Sequence, residues 1–305
     1  MPLKMNQDVL AQVEYGSAPA ILALSDSKAG LERVRASAEL AGCWVAEAGG
    51  VEGAVERLDR QVASAAVVAD LEQDHGEELD RLLDKLFGDA QAGCYRSVIS
   101  VSPELIDVTA ARAWHSDIVH LCAPSEQERT AAIHQASAKV SAAFHDIGKG
   151  QGPVRLQQLS EEVGRIANIL ATLSEDEILK EPPADEEGGA EVSAAAIRAM
   201  IRARRLRDHY FGGELFADPA WDMLLDLMAA RLERQRVAVS SLCIAAAVPA
   251  TTALRWIKTL TDAGLFVRTA DPQDGRRVFI ELSDKAAVQL GAYLKAVQRL
   301  SPLAI

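Results

Sequence analysis

Paired cysteines, clustered histidines and long apolar runs are all missing from this chain. Its four cysteines, Cys43, Cys94, Cys122 and Cys243, stand far apart with no CxxC pair. That spacing excludes a disulfide framework and a zinc ribbon, and it points to reduced, mostly buried thiols. The six histidines are scattered too; His115 and His120 are five positions apart and do not share a helix face, so no metal-ligand set emerges. No apolar run approaches the length of a membrane span, and the start, MPLKMNQDVL, has no signal-peptide core. The expectation is a cytoplasmic protein with no membrane partner. A Gly-rich phosphate loop is absent as well: Gly148-Lys149-Gly150 lacks the P-loop spacing and a preceding strand. No nucleophile sits beside a base. An enzyme is therefore not expected, and no cofactor is implied.

What is present is a large apolar fraction, 49%, and a lopsided charge. The net charge is −12. From Glu191 onward, however, there are 16 basic against 12 acidic residues, while the first 190 residues hold 16 against 32. A basic end on an acidic body suits a nucleic-acid module tied to a domain with another task.

The acidic part alternates apolar strands with helical patterns. Ala20-Ile21-Leu22-Ala23-Leu24 reads as a strand buried on both faces, and Ala65-Ala66-Val67-Val68-Ala69, ending at Asp70, repeats that character. Trp44-Val45-Ala46, residues 97–101 and residues 118–122 supply three more strands. Helices are expected at 27–41, with Leu31, Val34 and Leu40 inward, at 51–61, at 77–87, and on both sides of the fifth strand. Alternation of this kind predicts a doubly wound parallel sheet with functional groups at the strand C-termini.

This order, with Asp70 at the end of the third strand, resembles the receiver domain of two-component response regulators. The resemblance implies an acidic pair after strand one, a phospho-accepting Asp after strand three, a hydroxyl after strand four and Lys-Pro after strand five. Here Ser25-Asp26, Asp70, Ser100 or Ser102, and Ala123-Pro124 stand at those places. One acid and the lysine are missing, which implies weak magnesium binding and poor phosphorylation. Asp26, Asp70 and Ser100 are then a vestigial phosphoacceptor pocket; the alternative is that both aspartates cap the helices that follow.

Residues 155–173 place Leu156, Leu159, Val163, Ile166, Leu170 and Leu173 on an a/d seam. Such a seam pairs with a second copy in a homodimer or packs on its own domain. Residues 181–190, rich in Pro, Gly and acid, read as a linker. The expected organisation is an arm at 1–19, a receiver-like domain at 20–145, a helical dimerisation segment at 146–180, the acidic linker at 181–190 and a further domain at 191–305.

That last domain opens on a helix with Ile197, Met200, Ile201 and Leu206 on one side and a run of arginines on the others. A second helix follows Asp218-Pro219, with Trp221, Leu224, Leu225, Met228 and Leu232 as core. Residues 240–247 make a short helix, and Pro249 starts the next, in which Ala253, Trp256, Ile257 and Leu260 form the buried stripe. Ala250, Thr251, Thr252, Arg255, Lys258 and Thr259 are left facing outward. Two runs, at 266–268 and 278–282, flank a turn-rich stretch and form a hairpin with Arg276 and Arg277 near its tip. Short donors and cations on a second helix, beside such a wing, suit a major groove and a phosphate backbone.

Thr252-Ala253-Leu254-Arg255, Leu260-Thr261-Asp262-Ala263-Gly264-Leu265 and Asp271-Pro272-Gln273-Asp274-Gly275-Arg276-Arg277 resemble the MarR-type winged-helix regulators. Leu254 departs from the family's usual small hydroxyl residue. The whole chain is thus expected to be an α/β receiver-like, flavodoxin-like doubly wound parallel sheet, then a coiled-coil helix, then an α+β winged helix-turn-helix domain. Its expected role is that of a homodimeric regulator of transcription on double-stranded DNA, with a small-molecule or protein effector. The alternative is a scaffold whose winged helix binds a protein. The DNA reading requires Thr251 and Arg255 to face solvent and the hairpin arginines to stay clear of internal carboxylates.

Overall fold

The computed structural model describes residues 18–60, 64–145, 192–211 and 216–300, without side-chain detail for 139–145 and 300. The dimerisation segment, the acidic linker and the arm up to residue 17 lie outside these residues. Five parallel strands, β1 (Ala20–Ser25), β2 (Trp44–Gly49), β3 (Ala66–Leu71), β4 (Arg96–Val101) and β5 (Ile118–Cys122), pair in the order β2-β1-β3-β4-β5. The expected doubly wound sheet is what forms. Strands β1, β3 and β4 are buried almost throughout because helices cover both faces, which is why they read as unbroken apolar runs. The helices are α1 (Lys28–Leu40), α2 (Ala54–Arg60), α3 (Glu77–Gln91), α4 (Ile106–Arg112) and α5 (Glu126–His145).

Helix α1 begins where the Ser27 hydroxyl accepts the Gly30 N–H at 2.9 Å. Gly30 lies so close to Ser25 that an added Cβ would sit 2.1 Å from the serine oxygen, so only glycine fits. Leu40 was expected inside but is 65% exposed. It lies nine residues beyond Leu31, two and a half turns, and so on the opposite face; Ala38 takes the inner position instead.

The second half contains α6 (Ala194–Phe211), α7 (Pro219–Glu233), β6 (Val237–Ala238), α8 (Val239–Ala245), α9 (Ala250–Asp262), β7 (Phe266–Ala270), β8 (Val278–Leu282) and α10 (Asp284–Leu300). Strands β6, β8 and β7 form a small antiparallel sheet in that order. Gly264, at φ +71°, ends α9: its N–H bonds to Thr261 O and the Leu265 N–H to Leu260 O, a Schellman closure. Asp218 caps α7 through Trp221 N, as expected. Leu232 and Leu206, expected in the core, are exposed instead.

Three of the five arginines of α6 are held by carboxylates of their own half. Arg198 pairs with Asp226 and Glu233, Arg204 with Asp222 and Asp218, and Arg205 with Asp222. Arg202 is exposed, and Arg207 lies 5.1 Å from the centre of the Phe216 ring. Among the described residues no single helix is long and apolar enough to cross a membrane.

Candidate nucleic-acid interface

Helices α8 and α9 stand in the positions of a helix-turn-helix, and the β7–β8 hairpin follows as a wing. Ala253, Ile257 and Leu260 anchor α9 from below, joined by Leu254. Trp256, expected in that stripe, is 38% exposed. The buried arc is turned toward Leu254, because the α/β half packs on that side of the helix and leaves Trp256 at the far margin.

Of the residues expected to face DNA, Arg255 and Thr259 are exposed, and Ala250, Thr252 and Lys258 are half-buried. Thr251 is a correction: it is only 6% exposed. β5 is the edge of the parallel sheet, so the outward N–H and C=O of Cys122 need partners. The Thr251 hydroxyl accepts the first at 2.9 Å and donates to the second at 3.2 Å. A short hydroxyl that looks suited to a groove is thus spent on a strand edge.

The same seam is bonded elsewhere. Helix α8 starts at Ala238, which has no side-chain acceptor for the first-turn N–H groups. Asp107 of α4 supplies one from across the seam: Ser240 N and Oγ donate to its two oxygens at 2.9 and 2.6 Å. Arg268 of β7 donates to Ala110 O and lies 4.9 Å from the centre of the Trp114 ring. Burial pushes its guanidinium down to about 10, still charged at neutral pH.

The wing arginines divide. Arg277 is exposed and, among the described residues, pairs with its neighbour Asp274 alone, at 3.4 Å. Arg276 is the second correction: its Nη2 meets Asp74 Oδ1 at 2.6 Å, and its Nε lies 3.1 Å from Asp80 Oδ1. The Arg276 hydrogen bond holds the Asp74 carboxyl below the usual range. Two carboxylates of the acidic half thus hold the arginine that was expected to meet a phosphate.

The Asp70 end of the sheet carries a different network. Asp70 accepts Arg33 Nη2 at 2.8 Å and Arg33 Nε at 3.3 Å, with Arg129 Nη2 3.4 Å away. The Asp70 hydrogen bond raises the Arg33 guanidinium, while burial lowers that of Arg129. Asp26 accepts the backbone N–H groups of Glu72 and Gln73, both at 2.8 Å. Neither aspartate caps a helix: Ser27 caps α1, and α3 starts six residues after β3. The Ser100 hydroxyl is buried without a partner among the described residues. Sequence reasoning missed Arg33, Arg129, Asp74, Asp80 and Asp107. One signal was available, since Ala238 at a helix start advertises a missing cap.

His120 on β5 is buried, bonds to Ala113 O through Nε2 at 2.9 Å and stacks on Trp114. Burial pushes its pKa down to about 4. The native state therefore holds the neutral ring, while the unfolded chain protonates near 6.5. The associated stability is complete above pH 6.5 and is lost as pH falls toward 4, about 2 kcal/mol by pH 5. Urea unfolding of the wild type and His120→Gln across that window checks this; parallel pH profiles for the two would refute it.

Residues 225–286 match the family described as a winged helix DNA-binding domain. Comparison with curated proteins yields no match. Among solved structures, S. aureus MepR bound to ethidium bromide is 17% identical, over 35% of this chain and 73% of its own, with a TM-score of 0.25. A probable transcriptional regulator from Pseudomonas aeruginosa is 27% identical over 36% and 85%, with a TM-score of 0.23. A mutant MarR from E. coli is 18% identical over 36% and 79%, with a TM-score of 0.24. The winged-helix assignment rests on the family match together with the elements themselves.

Proposed function

We propose that this chain is a sequence-specific DNA-binding regulator of transcription, acting as a homodimer, whose α/β half holds the DNA-facing surface until the seam between them parts. One observation carries the reading: within a winged-helix DNA-binding domain, α9 presents Arg255 and Thr259 outward, with Thr252 and Lys258 beside them. Arg255 is the candidate for a guanine contact, and Arg277, with Arg276 once released, for phosphate or minor groove.

Burial of Thr251 and pairing of Arg276 count against DNA binding by the closed form, so the reading requires the seam to part. With β5 seated on the first turn of α9, a duplex and the sheet compete for one helix face. Exposed Tyr210 and Phe211 on α6, and Val288 and Tyr293 on α10, supply apolar surface of the kind a second copy covers. The α/β half would sense rather than accept phosphate. The Arg33 guanidinium lies on Asp70, where a magnesium ion would have to bridge phosphate and acid.

Selection of bound fragments from a random DNA pool, using the intact chain, tests the reading. Half-sites about 10 bp apart are the expected outcome for a dimer. Arg255→Ala then weakens binding to the selected site by about 1–3 kcal/mol and relaxes one base preference. Equal binding by wild type and variant would remove Arg255 from the readout. A second reading, in which the winged helix serves a protein contact, is favoured by the Thr251–Cys122 pairing alone. Failure to retain any DNA at low salt would select it.

A further inference from the structure

A cavity of about 380 Å³ lies in the seam, walled by β5 and α5 on one side and by α9 on the other. That volume falls within the range of small-molecule sites, about 300–1,000 Å³. Its floor is carbon: Ile118, Leu121 and Ala132 from the sheet side, and Leu254 from α9. Thr252, Arg255 and Lys258 stand along the α9 wall.

The polar groups here are unevenly matched. Among the described residues, neither Arg255 nor Lys258 has a carboxylate within ion-pair distance. Glu128, the one acid lining the cavity, is engaged locally: its Oε2 accepts Ser125 N at 2.8 Å and Ser125 Oγ at 3.0 Å. The Trp114 indole N–H is buried without an acceptor. His120 stacks on the Trp114 ring, and Arg268 and Lys258 lie 4.9 and 5.9 Å from its centre. Two cations without a carboxylate partner, beside an apolar floor, suit an occupant with a negative head and a carbon body. A hydrated inorganic anion would leave the floor unfilled, and a neutral hydrocarbon would leave the donors unmatched.

We propose that this cavity is a binding site for a small apolar monocarboxylate, with its head on Lys258 and Arg255 and its body on Leu121 and Leu254. The occupant touches both walls and so favours the closed seam over the open one. It also takes Arg255 and Lys258 from DNA. This regulatory half rests on the DNA-binding reading; the binding site itself does not.

Calorimetric titration of the intact chain with octanoate, acetate and 1-octanol tests the site without DNA. Octanoate binds saturably, whereas acetate lacks the body and octanol the charge, and each binds weaker by roughly tenfold or more. Lys258→Gln weakens octanoate by a similar factor, about tenfold. Ala131→Phe, at an exposed position on the α5 wall, fills the cavity and abolishes binding; circular dichroism verifies that both variants fold. Absent octanoate binding, equal binding of octanol, or octanoate binding unchanged in both variants overturns the site. A mobility shift then reads the coupling: octanoate weakens DNA retention by wild type and leaves Ala131→Phe unaffected. If octanoate fills the cavity and DNA retention by wild type does not change, the coupling is overturned. If no DNA is retained at all, the DNA reading fails while the titration still decides the site.

Discussion

Replacing Asp74, Asp80 and Asp107 together by asparagine tightens DNA binding by the intact chain about tenfold to a hundredfold. Loss of an acidic residue from a DNA-binding protein raises affinity through simple charge, so the comparison has to be made at equal charge. Glu32→Gln, Glu39→Gln and Glu52→Gln together remove the same three charges from exposed positions outside the seam. The seam variant differs in what it releases. Asp74 and Asp80 hold Arg276, which becomes free to meet a phosphate. Asp107 caps α8 from α4, and asparagine keeps an acceptor there while dropping the charge that strengthens the bond. Side by side in a mobility shift on the selected site, the seam variant binds tighter than the control. Equal affinity for the two would mean that the α/β half does not restrain the winged helix.

The second large effect is on stability. Asp70→Ala destabilises the fold by about 3–5 kcal/mol, because it leaves the buried Arg129 guanidinium without a counter-charge. Arg129 and Asp70 are each only 4% exposed. The reverse change is milder. Arg129→Met removes the buried charge and leaves Asp70 paired with Arg33 at 2.8 Å, so it costs about 1 kcal/mol or less. Denaturant unfolding at neutral pH reads both. Similar losses for the two variants would show that Arg129 matters by its volume and not by its charge.

The sheet was legible because β1, β3 and β4 are buried on both faces and leave unbroken apolar runs; Asp70 falls one residue before the end of β3. The helix-turn-helix and wing were legible from Pro249, Gly264 and the turn before Arg276. The covering of α9 was not. Thr251 meets Cys122 across 129 positions, and Arg276 meets Asp74 across 202. No local period carries such a pairing. A threonine on the first turn of a helix looks the same whether it will face a base edge or the free edge of a strand. Arg198, Arg204 and Arg205 of α6 show the same limit: their pairing with Asp222, Asp226 and Glu233 depends on how α6 and α7 cross.

One apolar cluster runs unbroken from Leu71, Ile106 and Val108 of the sheet half into Val239, Leu242 and Leu254 of the winged helix. Carbon as well as charge therefore seals the two halves, and parting them wets side chains that are otherwise dry. Opening is closer to a partial melting than to the swing of a hinge between finished pieces. Apolar burial weakens on cooling, so the closed form loses part of its advantage in the cold. A winged helix cut free of its sheet would carry a bared apolar flank beside its outward-facing Arg255 and Thr259.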